Sequence, residues 1–175
     1  MEGKEENNII NMIFETQRLE LIVPDLEQLK FLRFDRKGFE QEFDCTYQGE
    51  PLEGFIKEYL EEQIRIITSQ PETRMYHAFW LLLRKSDRVI IGSLAFKGMP
   101  NEHGEIEIGY GLNAAFEHNG YMTEAVKKAC EWGLAQKGVS HIIAETDLNG
   151  YASQHILERN GFKRYKFGDE SWWRL

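Results

Sequence analysis

Hydrophobic and polar positions alternate with a period of two over Glu105–Leu112, where Ile106, Ile108, Tyr110 and Leu112 are apolar, and this predicts a strand. A polar turn follows, Glu117-His118-Asn119-Gly120. The period then changes: Met122, Ala125, Val126, Ala129 and Cys130 recur at the spacing of one helix face. The same alternation of periods comes again downstream. Ser140–Thr146 reads as a strand, Asp147–Gly150 as a turn, and Ala152–Asn160 as a short helix that Gly161 ends. Upstream, Phe14–Val23 is a first strand, and Pro24-Asp25 opens a helix with Asp25 as its N-cap. Asp35–Pro51 shows no period. Leu52–Ser69 is a second helix with Phe55, Tyr59, Leu60, Ile64 and Ile67 apolar. Tyr76–Leu83 is nearly continuous apolar sequence, as a strand covered on both faces requires, and Arg88–Gly98 is its hairpin partner. Lys163–Phe167 and Trp172–Leu175 are two last strands, and residues 1–12 are a polar, flexible N-terminal extension. The order β-α-α-β-β-β-α-β-α-β-β predicts an α/β (α+β) fold, a mixed sheet with helices on both faces.

The strand–loop–helix step at 105–130 has chemical content. The first turn of a helix carries unpaired N–H groups and the positive end of the helix dipole. A loop bending into it through a glycine can aim several N–H groups at a phosphate. An ordinary strand–helix connection with a glycine in its turn has the same pattern.

Length and charge narrow the classes. The 175 residues suit a single domain spanning 1–175, with 42% hydrophobic residues to fill a core. The formal net charge of −8 argues against a nucleic-acid backbone as partner and suits cationic partners such as amines or basic peptides. Cys45 and Cys130 lie far apart, and the five histidines are scattered, so no metal site is expected. No apolar run approaches 18 residues, so no membrane partner is expected. The start Met-Glu-Gly-Lys-Glu-Glu-Asn-Asn lacks the apolar core of a signal peptide, which makes the cytoplasm the expected location.

Three stretches together, Glu107-Ile-Gly-Tyr-Gly-Leu112, Gly120-Tyr-Met-Thr-Glu-Ala125 and Ala152-Ser-Gln-His-Ile-Leu-Glu-Arg-Asn-Gly-Phe162, resemble the core of a GNAT (GCN5-related) N-acetyltransferase. Phe14-Glu-Thr-Gln-Arg-Leu-Glu-Leu21 resembles the first strand of the branch that includes ribosomal-protein N-terminal acetyltransferases. The resemblance implies a mixed, partly splayed central sheet, parting between the strand that ends near Leu112 and the strand Ser140–Thr146. It implies acetyl-CoA as co-substrate, with the pantetheine arm against the backbone of Tyr110, Gly111 and Leu112. The pyrophosphate then falls to the loop Glu117, His118, Asn119, Gly120, Tyr121, Met122 and Thr123. The family's loop usually reads Gln/Arg-x-x-Gly-x-Gly/Ala. Here Glu117 stands at the first position and Met122 at the last, so an acid and a bulky side chain replace an amide or cation and a small residue. The family's asparagine before the serine is Gly150 here, and Asn149, one position earlier, is the candidate for the pantetheine or the acceptor.

Acetyl transfer to an amine needs a proton acceptor, a polarised carbonyl and a stabilised leaving thiolate. Glu107 is the candidate base or water-positioning residue; the bland alternative is a carboxylate on the wet face of its strand. Ser153 is the candidate acid or thioester hydrogen bonder, or simply a hydroxyl of the first helical turn. Tyr151 is a further candidate should the turn present it inward. The aromatics Phe39, Phe43 and Tyr47 among Glu40, Glu42 and Asp44 would suit a cationic acceptor, or else pack within their own loop. At most one of Trp172 and Trp173 can face an acceptor pocket. The expected activity is acetyl-CoA-dependent N-acetyl transfer to a primary amine of a small molecule or a peptide N-terminus, by a monomer or homodimer. The other class is a GNAT-fold CoA sensor or interaction module of weak or no catalysis, and transfer of a longer acyl group is a third reading.

Overall fold

A computed structural model describes residues 12–175; the N-terminal extension expected for 1–12 lies outside the described residues except for Met12. The apolar run expected as one strand is two. β1 (Met12–Glu15) and β2 (Leu19–Val23) form an antiparallel hairpin, with Met12 opposite Val23. The reversal at 16–18 is set by Thr16, whose backbone N–H donates to the Leu19 carbonyl at 2.9 Å and whose Oγ1 accepts from the Leu19 N–H at 3.0 Å. Asp25 caps α1 (Leu26–Phe34) as expected, in a reciprocal box with Gln28. The stretch without a period holds α2 (Arg36–Glu42), capped by the Asp35 side chain, and the two-residue β3 (Thr46–Tyr47), which pairs parallel with β5. Its amphipathic pattern is too short to stand out.

The helix α3 (Gly54–Ser69) follows. The next strand is shorter than the sequence suggests: Arg74–His77 is the one-turn helix α4, and β4 (Trp80–Arg84) begins only after it. Pro71 starts the preceding helical turn, and Trp80 Nε1 donates back to the Met75 carbonyl at 3.2 Å, which ties that turn to the strand. β5 (Val89–Phe96) and β6 (Glu105–Leu112) continue the meander. Then come α5 (Tyr121–Leu134), β7 (His141–Asp147), α6 (Tyr151–Arg159), β8 (Lys163–Phe167) and β9 (Glu170–Arg174). The sheet order is β1-β2-β4-β5-β6-β7-β9-β8, mixed because β6 and β7 run parallel.

Helices cover both faces. Trp132 of α5 meets Trp80 and Phe96 at ring distances of 5.3 and 5.4 Å. The neighbour of Trp80, Phe79, points the other way and meets Tyr59 of α3 at 5.4 Å, while Gln63 of α3 accepts its backbone N–H. Gly133 lets α5 lie close on the sheet: a Cβ there would stand 3.0 Å from both Ile106 Cδ1 and Ile142 Cδ1.

β6 and β7 pair only at their starts, Glu105–Glu107 with His141–Ile143, and then separate. On β6 the residues facing α5 are large (Ile106, Ile108, Tyr110), whereas the opposite face beyond Glu107 carries only Gly109 and Gly111. The parted strands and the bare glycine face together open the middle of the molecule.

Candidate active site

Two cavities meet where β6 leaves β7. The first, about 570 Å³, runs from Tyr110, Gly111 and Leu112 to the start of α5, where Glu117, His118, Gly120, Tyr121, Met122 and Thr123 line it. The first turns of α6 (Tyr151, Ala152, Ser153, His155, Ile156) and Arg159 form its other wall. The second, about 500 Å³, lies on the glycine face of β6, between Phe55, Ile56 and Tyr59 of α3 and the strand residues Ser93, Leu94, Ala95 and Glu145, with Lys97 at its edge. Four residues line both: Glu50, Tyr110, Gly111 and Ser153.

The start of α5 has the form that anion binding needs. Gly120 adopts φ 77° in the left-handed region and gives the helix no side-chain cap, so its first N–H groups have no side chain to take them. His118 precedes it, also at positive φ (60°). Asn119 is exposed and lines neither cavity: its Nδ2 donates back to the carbonyls of Phe116 and Glu117 at 3.2 and 2.7 Å, which knots the loop. The two unusual loop residues leave the groove open. The Met122 side chain is buried in the hydrophobic core, and Glu117 is exposed, 4.0 Å from the His118 ring nitrogen.

Arg18 holds this loop from outside, a role that no period in the sequence marks. Its Nε donates to Glu124 Oε2 at 2.8 Å, its backbone N–H to Glu124 Oε1 at 2.8 Å and its Nη1 to the Asn119 carbonyl at 2.9 Å. Its guanidinium lies 4.5 Å from the Tyr121 ring centroid. Burial acts to raise the Glu124 carboxyl, but hydrogen bonds from Thr16 Oγ1 and Arg18 outweigh it and hold the group below its ordinary range.

On the opposite wall Ser153 is the third residue of α6, past the N-cap position, and the Tyr110 hydroxyl donates to its carbonyl at 3.1 Å. Burial pushes the Tyr110 phenol well above its usual range, and the hydrogen bond to Ser153 offsets only part of that. Asn149 is exposed in the turn and lines neither cavity, although its carbonyl accepts from the Tyr151 N–H at 2.9 Å. Tyr151 lines the first cavity at the surface. Trp173 is buried, with Nε1 donating to Thr146 Oγ1 at 3.0 Å, and Trp172 is half-buried; neither lines a cavity. Of the aromatics at 39–47, Phe39 and Phe43 pack on each other inside the core, their rings tilted and 4.6 Å apart.

Glu107 is on the same face of β6 as Gly109 and Gly111 of the second cavity, as its alternation requires, but it forms an ion pair with Lys97 and lines neither cavity. The carboxylate at the junction is Glu50, in the loop between β3 and α3. The thiols stand apart: burial pushes Cys130 up to about 12 and Cys45 up to about 11, and neither lines a cavity.

Residues 18–163 match the family model of the acetyltransferase (GNAT) domain. The chain belongs to the GNAT family. Among curated relatives of this GNAT domain is the uncharacterized N-acetyltransferase YjdG of Bacillus subtilis, 29% identical over 86% of this chain and 89% of its own length. Another is YnaD of the same organism, also an uncharacterized N-acetyltransferase, 24% identical over 84% of this chain and 89% of its own length. In fold the GNAT domain is similar to the ribosomal L7/L12 α-N-protein acetyltransferase RimL in complex with coenzyme A, with a TM-score of 0.66 over 94% of this chain and 97% of that one, at 14% identity. These likenesses bear out the fold and the family expected from the motifs. Among the described residues no helix is long and apolar enough to cross a membrane.

Proposed function

We propose that this GNAT domain transfers an acetyl group from acetyl-CoA to a primary amine by direct attack on the thioester. The observation that carries the reading is the junction itself: two cavities of unlike character that meet over Gly111 and Ser153, where β6 parts from β7. The first suits the nucleotide-bearing donor. It ends at the uncapped start of α5, where backbone N–H groups of Gly120–Thr123 would hold the pyrophosphate. Tyr110, Gly111 and Leu112, no longer paired with β7, offer backbone to the pantetheine arm, and a backbone N–H there would polarise the thioester carbonyl. The related RimL was crystallised with coenzyme A, which supports this placement of the donor.

The second cavity receives the amine. Ser153, held in place through the Tyr110 hydroxyl, is positioned to hydrogen-bond the departing sulfur. Glu107 enters the reading as the carboxylate that holds Lys97 at the acceptor wall. Direct attack is favoured over an acyl-enzyme because neither described cysteine reaches the junction and both thiols are poor sources of thiolate. The open loop, with Met122 turned into the core and Glu117 exposed, favours an active enzyme over a sensor module.

Calorimetric titration with acetyl-CoA tests the donor site. Binding with a dissociation constant in the range of roughly 1 μM–1 mM is the expected result, in keeping with ordinary substrate constants. Absence of heat at millimolar acetyl-CoA would overturn the assignment of the first cavity.

A further inference from the structure

Glu50 has the surroundings of a working carboxylate. It lines both cavities, and its carboxylate lies directly over Gly111: a Cβ on that glycine would stand 1.8 Å from Glu50 Oε2 and 2.4 Å from its Cδ. The glycine thus leaves the space that Glu50 fills. The loop that carries it is fixed, since the Tyr47 hydroxyl donates to the Glu50 carbonyl at 2.8 Å. Its own carboxylate has no ion-pair partner among the described residues, unlike Glu107 with Lys97. Burial alone pushes the carboxyl above its ordinary range. The titratable groups facing it are Tyr47 of its own loop, Tyr59 of α3, Lys97 after β5, Tyr110 of β6 and Glu145 of β7. Across the first cavity stand Glu117, His118, Tyr121, Tyr151, His155 and Arg159.

The acceptor cavity also has a marked wall. Phe55 is 74% exposed, an uncommon cost for a large aromatic, and stacks on Tyr59 at 5.9 Å. Tyr59 in turn meets the buried Phe79 edge-on at 5.4 Å. All three line the second cavity, so an aromatic ladder leads from solvent to the junction where Glu50 sits.

We propose that Glu50 is the catalytic carboxylate, which receives the acceptor's ammonium over Gly111 and removes its proton, and that the acceptor is a cationic primary amine whose aromatic or flat apolar body seats on Phe55, Tyr59 and Phe79. The inference rests on the reading of the two cavities as donor and acceptor sites. The step balances. Glu50 takes one proton from the ammonium, and the freed amine nitrogen bonds to the thioester carbon. The C–S bond breaks, the second nitrogen proton passes to the leaving sulfur to give the CoA thiol, and Glu50 returns its proton to solvent. Desolvation at the junction raises the basicity of the carboxylate, the direction a general base needs.

The test uses the full chain with acetyl-CoA and 2-phenylethylamine, with release of the CoA thiol followed from pH 5.5 to 9. Glu50→Gln should lower kcat about 100-fold, a loss in the range of general-base catalysis, and remove the rise of kcat with pH at saturating amine. Its acetyl-CoA affinity, by calorimetry, should stay within about twofold of wild type, which also shows that it folds. Glu50→Asp should restore part of the rate, and Phe55→Ala should raise KM for 2-phenylethylamine with little change in kcat. A Gln variant that keeps the wild-type kcat and pH profile overturns the role of Glu50 while the donor and acceptor sites stand. Turnover of butylamine but not of 2-phenylethylamine by the wild type overturns the acceptor class. A wild-type chain that binds no acetyl-CoA overturns the reading of the cavities, and the inference falls with it.

Discussion

The guanidinium and backbone N–H of Arg18 converge on Glu124, a carboxylate with 18% of its side chain exposed, and Nη1 reaches on to the loop at Asn119. Arg18→Ala leaves that carboxylate without its charged partner and the loop carbonyl without a donor. Arg18 itself is 42% exposed, so screening discounts the pair and the expected cost is about 1–2 kcal/mol. The pH dependence has a definite sign. The carboxyl of Glu124 is held below its unfolded value, so its contribution is fully present above the unfolded pKa of about 4.3 and is lost as pH falls through the lowered folded value. Thermal melts should therefore show a constant gap between wild type and Arg18→Ala from pH 6 to 8 that narrows under acid conditions. At the other side of the site, Gly111→Ala sets a methyl against the end of the Glu50 side chain. That end is flexible, so the carboxylate swings away at small cost in stability, and acetyl transfer should fall at least about tenfold while the melting temperature moves little. Arg18 and Glu50 were both beyond reach of the sequence. The partner of Arg18 is 106 residues away, and Glu50 sits in a stretch without periodicity, so neither pattern nor spacing marks them.

At the level of elements, the start of α5 separates the needs of stability from those of binding. Gly120→Asp asks an L-residue to hold φ 77°, at about 1–2 kcal/mol, and sets its Cβ 3.5 Å from Arg18 Nη2. The melting temperature should fall by only a few degrees, whereas a carboxylate at the uncapped start of α5 adds a negative charge beside the proposed pyrophosphate subsite and should weaken acetyl-CoA binding at least about tenfold by calorimetry. Along the same helix Gly133 is constrained by packing alone, with Ile106, Ile142 and Phe96 within 3.0–3.3 Å of an added Cβ. Gly133→Val overfills a closed contact and should cost about 2 kcal/mol, a fall in melting temperature of about 4–8 °C for a chain of this size. Long elements with a clear period, α1, α3, α5, β6 and β7, were legible because one face of each is buried, and β5 because its run is almost wholly apolar and buried on both faces. The hairpin turn at Thr16, the short helices α2 and α4 and the two-residue β3 were not. Each is fixed by side-chain hydrogen bonds or by tertiary pairing over fewer residues than a period needs to declare itself.

Across the whole molecule, the two parts of the sheet are joined at β6–β7 by pairing at only three positions, Glu105, Ile106 and Glu107. Behind the gap α5 lies across both strands, with Gly133 close against Ile106 of β6 and Ile142 of β7. A ligand lying between the parted strands would replace missing backbone partners and tie the parts together from the open side. Its stabilisation follows from mass action: at one hundred times its dissociation constant, acetyl-CoA should add about 2.7 kcal/mol, or about 5–10 °C in melting temperature. The location of the gain is the sharper test. If the pantetheine arm pairs with β6 beyond Glu107, amide hydrogen exchange on saturation with acetyl-CoA should slow most at Tyr110–Leu112 and at Gly120–Thr123. The pairing of β7 with β9, complete from Ile143 to Asp147 without any ligand, should gain less. Uniform slowing throughout the chain would instead mean that acetyl-CoA stabilises the fold as a whole without entering the gap, and the splay would lose its place as the donor site.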